Sequence, residues 1–289
     1  MHFVEAKRIL SSKNGINIYR GCTHGCIYCD SRSNCYQMQH DFEDIEVKKN
    51  AVELLEYALL HKRKKCIIRT GAMCDPYMHC EEKLQMTRKC LEIIAKYGYG
   101  LSIQTKSDRI LRDMDLLKEI HQKSKCIVEI TMTTYKEELC KIIEPKVCTT
   151  KRRYEILKIM NKQQIPTIVW FSPFLPFLND TKENIKGLLD YCIDAKVKGI
   201  ICFGIGMTMR GGNREYFYQE LNKSFPQMSK RYQKKYGYAY ECVSDNNIKL
   251  MNFFHEECEK HGIMHDIEKI FTYIETFPES QYEQLNLFP

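Results

Sequence analysis

Three cysteines stand in one short segment, at a spacing that suits a shared inorganic ligand. The segment reads GCTHGCIYC over residues 21–29, so Cys22, Cys26 and Cys29 follow a Cys-x3-Cys-x2-Cys pattern. Cysteine thiolates hold iron–sulfur clusters, and three thiolates on four irons leave one iron open to a small molecule. Gly21 and Gly25 allow the backbone to wrap tightly around a bulky cluster. The segment therefore predicts an iron–sulfur site with an open coordination position.

Two other interpretations of these cysteines stay open. A structural zinc ion needs four ligands, and Cys35 or His24 could supply the fourth. The cysteines could also be unrelated thiols, because the chain contains 15 of them, an odd and high number. The N-terminal MHFVEAKRIL lacks the apolar core of a secretion signal. We therefore expect thiols or metal ligands in a reducing compartment.

Composition and charge limit the class of protein. The chain has 289 residues, of which 44% are hydrophobic and 28% charged, as in ordinary globular proteins. No apolar run approaches the roughly 18 residues that a membrane-spanning helix needs, so we expect a cytoplasmic protein without a membrane partner. The net charge of +7 permits an anionic partner without requiring one.

Short apolar segments alternate with amphipathic segments over the first 212 residues. Strands are predicted at residues 15–21, 66–72, 101–105, 126–132, 165–173 and 198–205. Helices are predicted at residues 51–61, 81–97, 110–121 and 151–163, and a further one begins where Asp180 and Glu183 resemble a capping box. This alternation predicts parallel β–α–β units. Six units are too few for a closed eight-unit barrel, so we expect an α/β fold, either a partial (β/α)6 barrel or a doubly wound sheet.

The cysteine segment follows the first predicted strand. Because ligands of such folds lie at the C-terminal ends of the strands, the chemistry should be sought in the loops there. After about residue 212 the alternation stops, and residues 213–240 are rich in tyrosine and lysine. A helix is predicted at about residues 245–261. We therefore divide the chain into a barrel domain, residues 1–212, and a C-terminal extension, residues 213–289, that could contact substrate.

Several stretches beyond the cysteine segment resemble one known family. The stretches are NIYRGCTHGCIYC, CDPY, LQMTRKCLEII, QTKSDRILRDMDLL, IEP and SPFLPFLND, in this order over roughly residues 15–180. The chain resembles the radical S-adenosylmethionine (SAM) superfamily, and within it the branch that is similar to spore photoproduct lyase. The resemblance implies a partial barrel, a [4Fe–4S] cluster and SAM. It also implies reductive cleavage of SAM to a 5′-deoxyadenosyl radical that abstracts hydrogen from a substrate.

The resemblance assigns roles to single residues. Cys22, Cys26 and Cys29 match the cluster ligands, and Tyr28 matches an aromatic residue near the SAM adenine. Gly71 falls where the family's strand-end loop meets the SAM amino group. Lys106 follows the third predicted strand, where it could pair with the SAM carboxylate.

Three further residues are candidates for SAM binding. Arg153 lies nine residues after Glu144 in a pattern that resembles the branch, and a guanidinium suits a carboxylate. The adjacent Arg152 leaves this register open by one residue. Thr131 and Thr133, at the end of the fourth predicted strand, could reach the SAM ribose or carboxylate.

The loop after the second predicted strand supplies the catalytic candidates, Cys74 and Asp75. Spore photoproduct lyase uses a cysteine of this loop as hydrogen donor, three residues before an aspartate. Here that position holds Ala72, and Cys74 stands next to Asp75 instead. The departure puts the lyase reaction in doubt, although a nearby thiol could still donate hydrogen.

The substrate is not fixed by these motifs. Three basic segments, residues 61–65, 151–153 and 230–235, favour a nucleic acid, and aromatic residues flank the last of them. A DNA-repair or nucleic-acid-modifying enzyme is therefore the first hypothesis. A peptide or small-molecule substrate is the second, and a non-catalytic zinc or nucleic-acid-binding module is the third. The implied radical chemistry also needs an electron donor such as flavodoxin or ferredoxin.

Overall fold

A computed structural model describes residues 1–278, and its centre is a five-stranded parallel sheet. The strands of this sheet are β4 (Ile67–Thr70), β5 (Gly100–Thr105), β6 (Cys126–Thr131), β7 (Thr167–Trp170) and β8 (Gly199–Ile201). They lie side by side in chain order. The smaller strands are β1 (His2–Val4), β2 (Tyr19–Arg20), β3 (Glu46–Lys48), β9 (Gly206–Thr208) and β10 (Glu241–Val243).

The first predicted strand is split in the structure. Residues 14–16 extend the parallel sheet beyond β4, where Ile16 N donates to Arg69 O at 2.8 Å and Arg69 N donates to Asn14 O at 2.9 Å. The chain then leaves the sheet and forms β2, which pairs antiparallel with β3. Five strands and this edge segment thus make six parallel units, and the predicted partial barrel is confirmed.

Eleven α-helices lie within the described residues. They are α1 (Ala51–Leu60), α2 (Glu81–Leu84), α3 (Met86–Lys96), α4 (Met114–Lys123), α5 (Glu137–Ile143), α6 (Thr150–Lys162), α7 (Lys182–Asp194), α8 (Asn213–Ser224), α9 (Met228–Tyr236), α10 (Asn247–Lys260) and α11 (Ile267–Glu275). Two sequence expectations for helices are wrong in detail. The helix predicted at residues 81–97 is interrupted at Gln85, which has a φ of +51°. Thr181, not Asp180, caps α7, because its hydroxyl accepts from Asn184 N at 3.2 Å.

The two faces of the parallel sheet have different coverings. The outer face is apolar and packs against α3, α4 and α6. On the inner face Ile127, Ile168 and Ile201 pack against Ile270 and Ile274 of α11. The C-terminal helix therefore fills the lower part of the open barrel.

Nearer the C-terminal ends of the strands the inner face becomes polar. Alternate residues of a strand share a face, so Ser102 and Gln104 point to the same side. The register places Gln104 beside Glu129, and Thr131 beside Trp170. These polar side chains lie between α11 and the strand ends, where the sequence predicts ligand binding.

The segment after residue 212 packs against the cysteine loop. Phe217, Leu221 and Tyr232 form one apolar cluster with Ile27 and Tyr28. Strand β10 of this segment pairs antiparallel with β9, which precedes residue 212. The division into residues 1–212 and 213–289 stays a prediction, and residues 279–289 lie outside the described part.

The helices of residues 1–278 are all too short or too polar to cross a bilayer.

Candidate functional site

The cysteine loop leaves β2 and is fixed by backbone hydrogen bonds. Gly21 and Gly25 have φ values of +87° and +69°, which other residues rarely adopt. Cys22 N donates to Phe42 O at 3.1 Å, and Ile27 N donates to Ile143 O at 3.0 Å. Two separate segments of the protein therefore hold the backbone of the loop in place.

The sulfur atoms of the loop suit a ligand larger than one metal ion. Four ligands at a zinc–sulfur distance of about 2.3 Å would place neighbouring sulfurs about 3.8 Å apart. Within residues 1–278, however, the sulfurs of Cys22, Cys26 and Cys29 are not all within 4.8 Å of one another. This wider spacing disfavours the single-zinc interpretation and fits a multi-iron cluster.

The charge state of the thiols points to the same kind of ligand. Burial raises the pKa of Cys22 well above its usual value and that of Cys26 to about 12. Thiolates at this site therefore need a compensating cation, which a cluster's iron ions provide. The donor set fits the cluster.

Above the cysteines lies a small cavity that opens into a larger pocket. The inner cavity measures about 80 Å³ and the outer pocket about 700 Å³. The two share seven lining residues, namely Tyr28, Cys29, Ser31, Ala72, Gln104, Lys106 and Thr131. Cys22, Cys26, Gly71, Cys74 and Asp75 line only the inner cavity. Most of the predicted site residues therefore meet at the C-terminal ends of β4, β5 and β6.

Lys106 places a cation between the two cavities. Burial lowers the pKa of Lys106, but Coulombic attraction to the thiolate form of Cys26 and to the carboxylates of Glu144 and Asp75 outweighs it and raises the pKa. The ammonium forms no ion pair with any described residue. A charged group that lines a cavity without a partner suits an anionic ligand, as the predicted contact with the SAM carboxylate requires.

A buried network holds Tyr28 in place. Its hydroxyl donates to Glu144 and lies 3.1 Å from the hydroxyl of Thr133. Glu144 in turn pairs with Arg153 at 2.7 Å, and both side chains are fully buried. Burial alone would raise the pKa of Glu144, but Arg153 and then Lys106 hold it at about 2.

Arg153 is buried and makes internal hydrogen bonds in this structure. Its guanidinium donates to the carbonyls of Lys106, Thr131 and Cys148 at 3.2, 3.1 and 2.8 Å. It thus ties together the ends of β5 and β6, and neither it nor Thr133 lines the two cavities. Direct SAM contact by these two residues stays a prediction, while the geometry gives them a positioning role.

Asp75 connects two loops at the inner cavity. Its carboxylate accepts from the Thr105 hydroxyl at 2.7 Å and from Lys106 N at 2.8 Å. It also lies 3.4 Å from Nδ1 of His24. Burial lowers the pKa of His24 to about 4, so the imidazole is neutral at pH 7.

Cys74 is a thiol directed away from the outer pocket. Its sulfur donates to Tyr19 O at 3.0 Å, and burial raises its pKa to about 12. A hydrogen-atom donor must be a thiol, so this protonation state suits the predicted role. The sequence did not indicate that Cys74 lines the inner cavity with the cysteine loop and not the outer pocket.

Gly71 and Thr131 lie where the strands meet the inner cavity. Gly71 has a φ of +102°, and a Cβ there would clash with the carbonyl oxygen of Gln104. Thr131 accepts a hydrogen bond from the Gln104 amide at 3.2 Å. Contact of Gly71 and Thr131 with SAM stays a prediction.

Sequence reasoning missed residues that line the outer pocket. Gln104 shares a strand face with Lys106, a period-two signal that could have found it. Trp170, the chain's single tryptophan, ends β7, and its indole donates to Glu129 at 2.6 Å. Phe203 lies beside it with ring centroids 6.0 Å apart. Glu241 comes from β10, which no local pattern connects to this pocket.

The family follows from comparison with known proteins. Residues 16–192, more than half of the chain, match the family model of the radical SAM superfamily. The chain belongs to this superfamily. Membership indicates an enzyme whose cofactors are a [4Fe–4S] cluster and SAM.

Among individual relatives, an uncharacterized protein of Methanocaldococcus jannaschii is 29% identical over 245 residues, which cover 84% of this chain and 83% of that protein. An uncharacterized protein of Mycobacterium tuberculosis is 27% identical over 227 residues, covering 76% of this chain. The match spans about two thirds, 66%, of the mycobacterial relative's length.

Solved structures of spore photoproduct lyase share the fold. The complex with dinucleoside spore photoproduct has a TM-score of 0.64 at 13% identity, covering 88% of this chain and 76% of that one. A variant with bound AdoMet and the same dinucleoside has a TM-score of 0.61 at 15% identity, covering 84% and 72%. At these identities the likeness establishes the fold.

Proposed function

We propose that this chain is a radical SAM enzyme that abstracts a hydrogen atom from a substrate bound in the outer pocket. The observation that carries the proposal is the continuous passage from three cysteines, past an unpaired Lys106, into a 700 Å³ aromatic pocket. Such a passage would accommodate a cluster, SAM and substrate in that order.

The chain's own residues would bind and orient the reactants. Cys22, Cys26 and Cys29 would hold a cluster with one open iron. Lys106 would pair with the SAM carboxylate, and Tyr28, fixed through Glu144, would pack beside the adenine. When bound, the cluster and SAM supply an electron and the 5′-deoxyadenosyl group that becomes the hydrogen-abstracting radical.

The proposed roles of the remaining candidates follow from their contacts. Asp75 would keep the loop after β4 against the end of β5, and Gly71 would allow SAM to approach the backbone closely. Thr131 would contact SAM from the shared wall of the two cavities. Cys74 would donate hydrogen to a product radical if the loop opens toward the outer pocket.

For the substrate we favour a nucleic acid. Trp170 and Phe203 present aromatic surfaces at the pocket, and Phe203 is 65% exposed. Exposed Tyr238 and Tyr240 lie beside the strand that forms the pocket wall. Aromatic faces stack on bases, and lysines of the neighbouring α9 could contact phosphates. The structural neighbour spore photoproduct lyase binds a dinucleoside. Repair and modification are both compatible with this pocket.

One observation favours the second candidate, a peptide or small-molecule substrate. Glu241 adds an acidic side chain to the pocket wall. A carboxylate repels phosphates but attracts an amine. A zinc-binding module is disfavoured by the wide spacing of the cysteine sulfurs. Under either enzyme hypothesis the chain would work in the cytoplasm with a flavodoxin or ferredoxin as electron donor.

The test of the activity is 5′-deoxyadenosine formation. The full chain would be reconstituted anaerobically with iron and sulfide, then incubated with SAM and a strong reductant. We expect product with the wild type and none with the Cys22, Cys26 and Cys29 to Ala triple variant. Cys66→Ala, at the opposite end of the sheet, is the matched control and should keep activity.

Two results would contradict the proposal. One is product formation by the triple variant at the wild-type rate. The other is a verified cluster that binds no SAM, as measured by the change in its electron paramagnetic resonance spectrum on SAM addition. Zinc without iron or sulfide in anaerobically purified protein would favour the third hypothesis.

A further inference from the structure

A second cluster of metal-binding side chains lies outside the site described above. His2, His40 and Asp44 each offer a ligand atom, and these atoms all lie within 4.8 Å of one another. Within residues 1–278 no other three His, Cys, Asp or Glu side chains bring their ligand atoms this close together. None of the three is a thiol, so the group is chemically distinct from the cysteine loop.

His40 is arranged as a metal ligand would be. Its Nδ1 lies 3.0 Å from the carbonyl oxygen of Asp41, to which it can donate only when Nδ1 carries the proton. That tautomer leaves a lone pair on Nε2. In the structure Nε2 is buried and has no hydrogen-bond partner, although a carboxylate oxygen of Glu46 lies 3.7 Å away. A histidine held by a backbone carbonyl through its other nitrogen is the usual support of a metal ligand.

His2 and Asp44 already have nearly the separation of adjacent metal ligands. Nδ1 of His2 lies 2.9 Å from a carboxylate oxygen of Asp44. Two ligands of a tetrahedral zinc ion at about 2.0–2.1 Å lie about 3.3 Å apart. Asp44 also pairs with the N-terminal ammonium through its other oxygen. Small side-chain shifts would therefore admit an ion.

The backbone around this cluster is fixed by strand pairing. Strand β1 pairs parallel with β3, which places His2 beside Glu46, and His2 N donates to Ile45 O at 3.0 Å. The guanidinium of Arg20 donates to the carbonyls of Tyr36 and Gln37 at 2.6 and 3.1 Å, just before His40. Binding would thus require little ordering of the chain.

We propose that His2, His40 and Asp44 form a site for a divalent transition-metal ion, for which zinc is the best match. Two imidazoles and one carboxylate are a donor set that zinc accepts, with water or Glu46 completing the coordination. The site goes beyond the proposed enzyme activity and does not depend on it.

The position of the site indicates what the ion would do. Phe42 lies between His40 and Asp44 in the chain, and its carbonyl oxygen accepts the hydrogen bond from Cys22 N. An ion that joins His40 and Asp44 to the N-terminal strand would fix this loop over the first cysteine. The site would act as a staple that stabilises the cysteine loop.

The test is a cobalt titration followed by visible absorption. The full chain, with a C-terminal affinity tag free of histidine, would carry Cys22, Cys26 and Cys29 to Ala so that the thiolates of the cysteine loop cannot compete. We expect one equivalent of Co²⁺ with d–d bands and no thiolate charge-transfer band, displaced by Zn²⁺. His40→Ala and the conservative Asp44→Asn should each weaken binding at least tenfold.

His61→Ala is the matched control. His61 also lies against a carbonyl, that of Tyr57 at 2.8 Å, but belongs to no ligand group. It should leave cobalt binding unchanged. No saturable binding, or equal loss in all three variants, would overturn the proposal.

A second measurement guards against misfolding of the triple-alanine background. On the reconstituted chain with its cysteines intact, Zn²⁺ at about a hundred times its Kd should raise the Tm by roughly 5 °C. The same addition to reconstituted Asp44→Asn should give no shift. An equal shift in both chains would place the zinc elsewhere and reject this site.

Discussion

Arg152 and Arg153 are neighbours of the same residue type, but the structure gives them opposite environments. Arg153 is fully buried against Glu144, whereas the side chain of Arg152 is 41% exposed and pairs with Asp108 and Glu155. Removing one partner of a buried pair leaves an uncompensated charge, which costs about 3–5 kcal/mol. We predict that Arg153→Ala lowers the free energy of unfolding by this amount, as measured by urea denaturation.

Arg152→Ala is the control for that prediction. Exposed ion pairs contribute about 0–1 kcal/mol, so this variant should stay close to wild type. It should also retain SAM binding, while Arg153→Ala loses it through displacement of Tyr28 and the end of β5. Equal losses in the two variants would show that the buried pair does not organise the site.

Glu144 makes stability depend on pH in a defined direction. Its pKa is held at about 2, below the usual 4.5, so the unfolded chain binds its proton first as the pH falls. The stabilisation is therefore complete above about pH 4.5 and is lost between there and pH 2. The shift corresponds to about 3 kcal/mol.

We predict that the unfolding free energy of the wild type falls more steeply from pH 5 to pH 3 than that of Glu144→Gln. The comparison cancels the contributions of the other carboxylates, and urea denaturation at each pH measures it. Parallel curves would contradict a lowered pKa at Glu144.

The end of β4 is an element whose backbone sets the geometry of the inner cavity. Gly71 has a φ of +102°, and any Cβ there would meet the carbonyl of Gln104 on β5. Backbone atoms of a paired strand cannot move aside cheaply. We predict that Gly71→Ala lowers the free energy of unfolding by at least about 2 kcal/mol and weakens SAM binding, measured by urea denaturation and equilibrium binding.

Gly98→Ala separates backbone strain from steric clash. Gly98 also has a positive φ, +63°, but a Cβ there meets nothing within 4 Å. This variant should cost about 1 kcal/mol and leave SAM binding intact. If Gly71→Ala is no more costly than this control, the close approach of β4 and β5 does not constrain the site.

A helix or strand could be predicted from the sequence where the residues that decide it are close together in the chain. Strands β5 and β6 match predicted residues 101–105 and 126–132 within a residue, because buried parallel strands are continuous apolar runs. The cap of α7 is Thr181 and not the adjacent Asp180. A tertiary contact decides between them, because the hydroxyl of Ser244 donates to the Asp180 carboxylate at 2.5 Å. Helix α11 fills the barrel, which its distance in sequence from the strands concealed.

The candidate site was predictable to a similar extent. The cysteine motif and the strand-end position of Lys106 are local signals, and the structure brings them to one cavity. Besides the Glu144 carboxylate, Arg153 has three acceptors, which are carbonyls of three separate segments, and no sequence pattern encodes these three. Glu241 could not be predicted for the same reason, because it reaches the pocket only through the pairing of β9 with β10.

At the scale of the molecule, the three basic segments do not form one surface. Residues 61–65 precede β4 and therefore lie at the end of the sheet opposite the cysteines. In the segment of residues 151–153, Arg153 is buried and Arg152 is paired, so only Lys151 is available to contact a phosphate. Residues 230–235 belong to α9, where Tyr236 donates to Val243 O at 2.8 Å beside the outer pocket. A nucleic acid in this pocket would therefore contact α9 and not residues 61–65.

This arrangement gives the last prediction, on the proposed substrate. Lys230 and Lys234 are exposed on one face of α9, so we predict that reversing both to Glu weakens binding of a labelled single-stranded oligonucleotide roughly tenfold at low salt. The slope of log affinity against log salt should fall by about 1.4 units, because each of the two lost phosphate contacts removes about 0.7. Reversing Arg63 and Lys64 changes the net charge equally at the opposite end of the sheet and should have little effect. Equal losses in both double variants would indicate non-specific attraction to a basic protein, and undetectable binding by the wild type would favour the peptide or small-molecule substrate that Glu241 suggests.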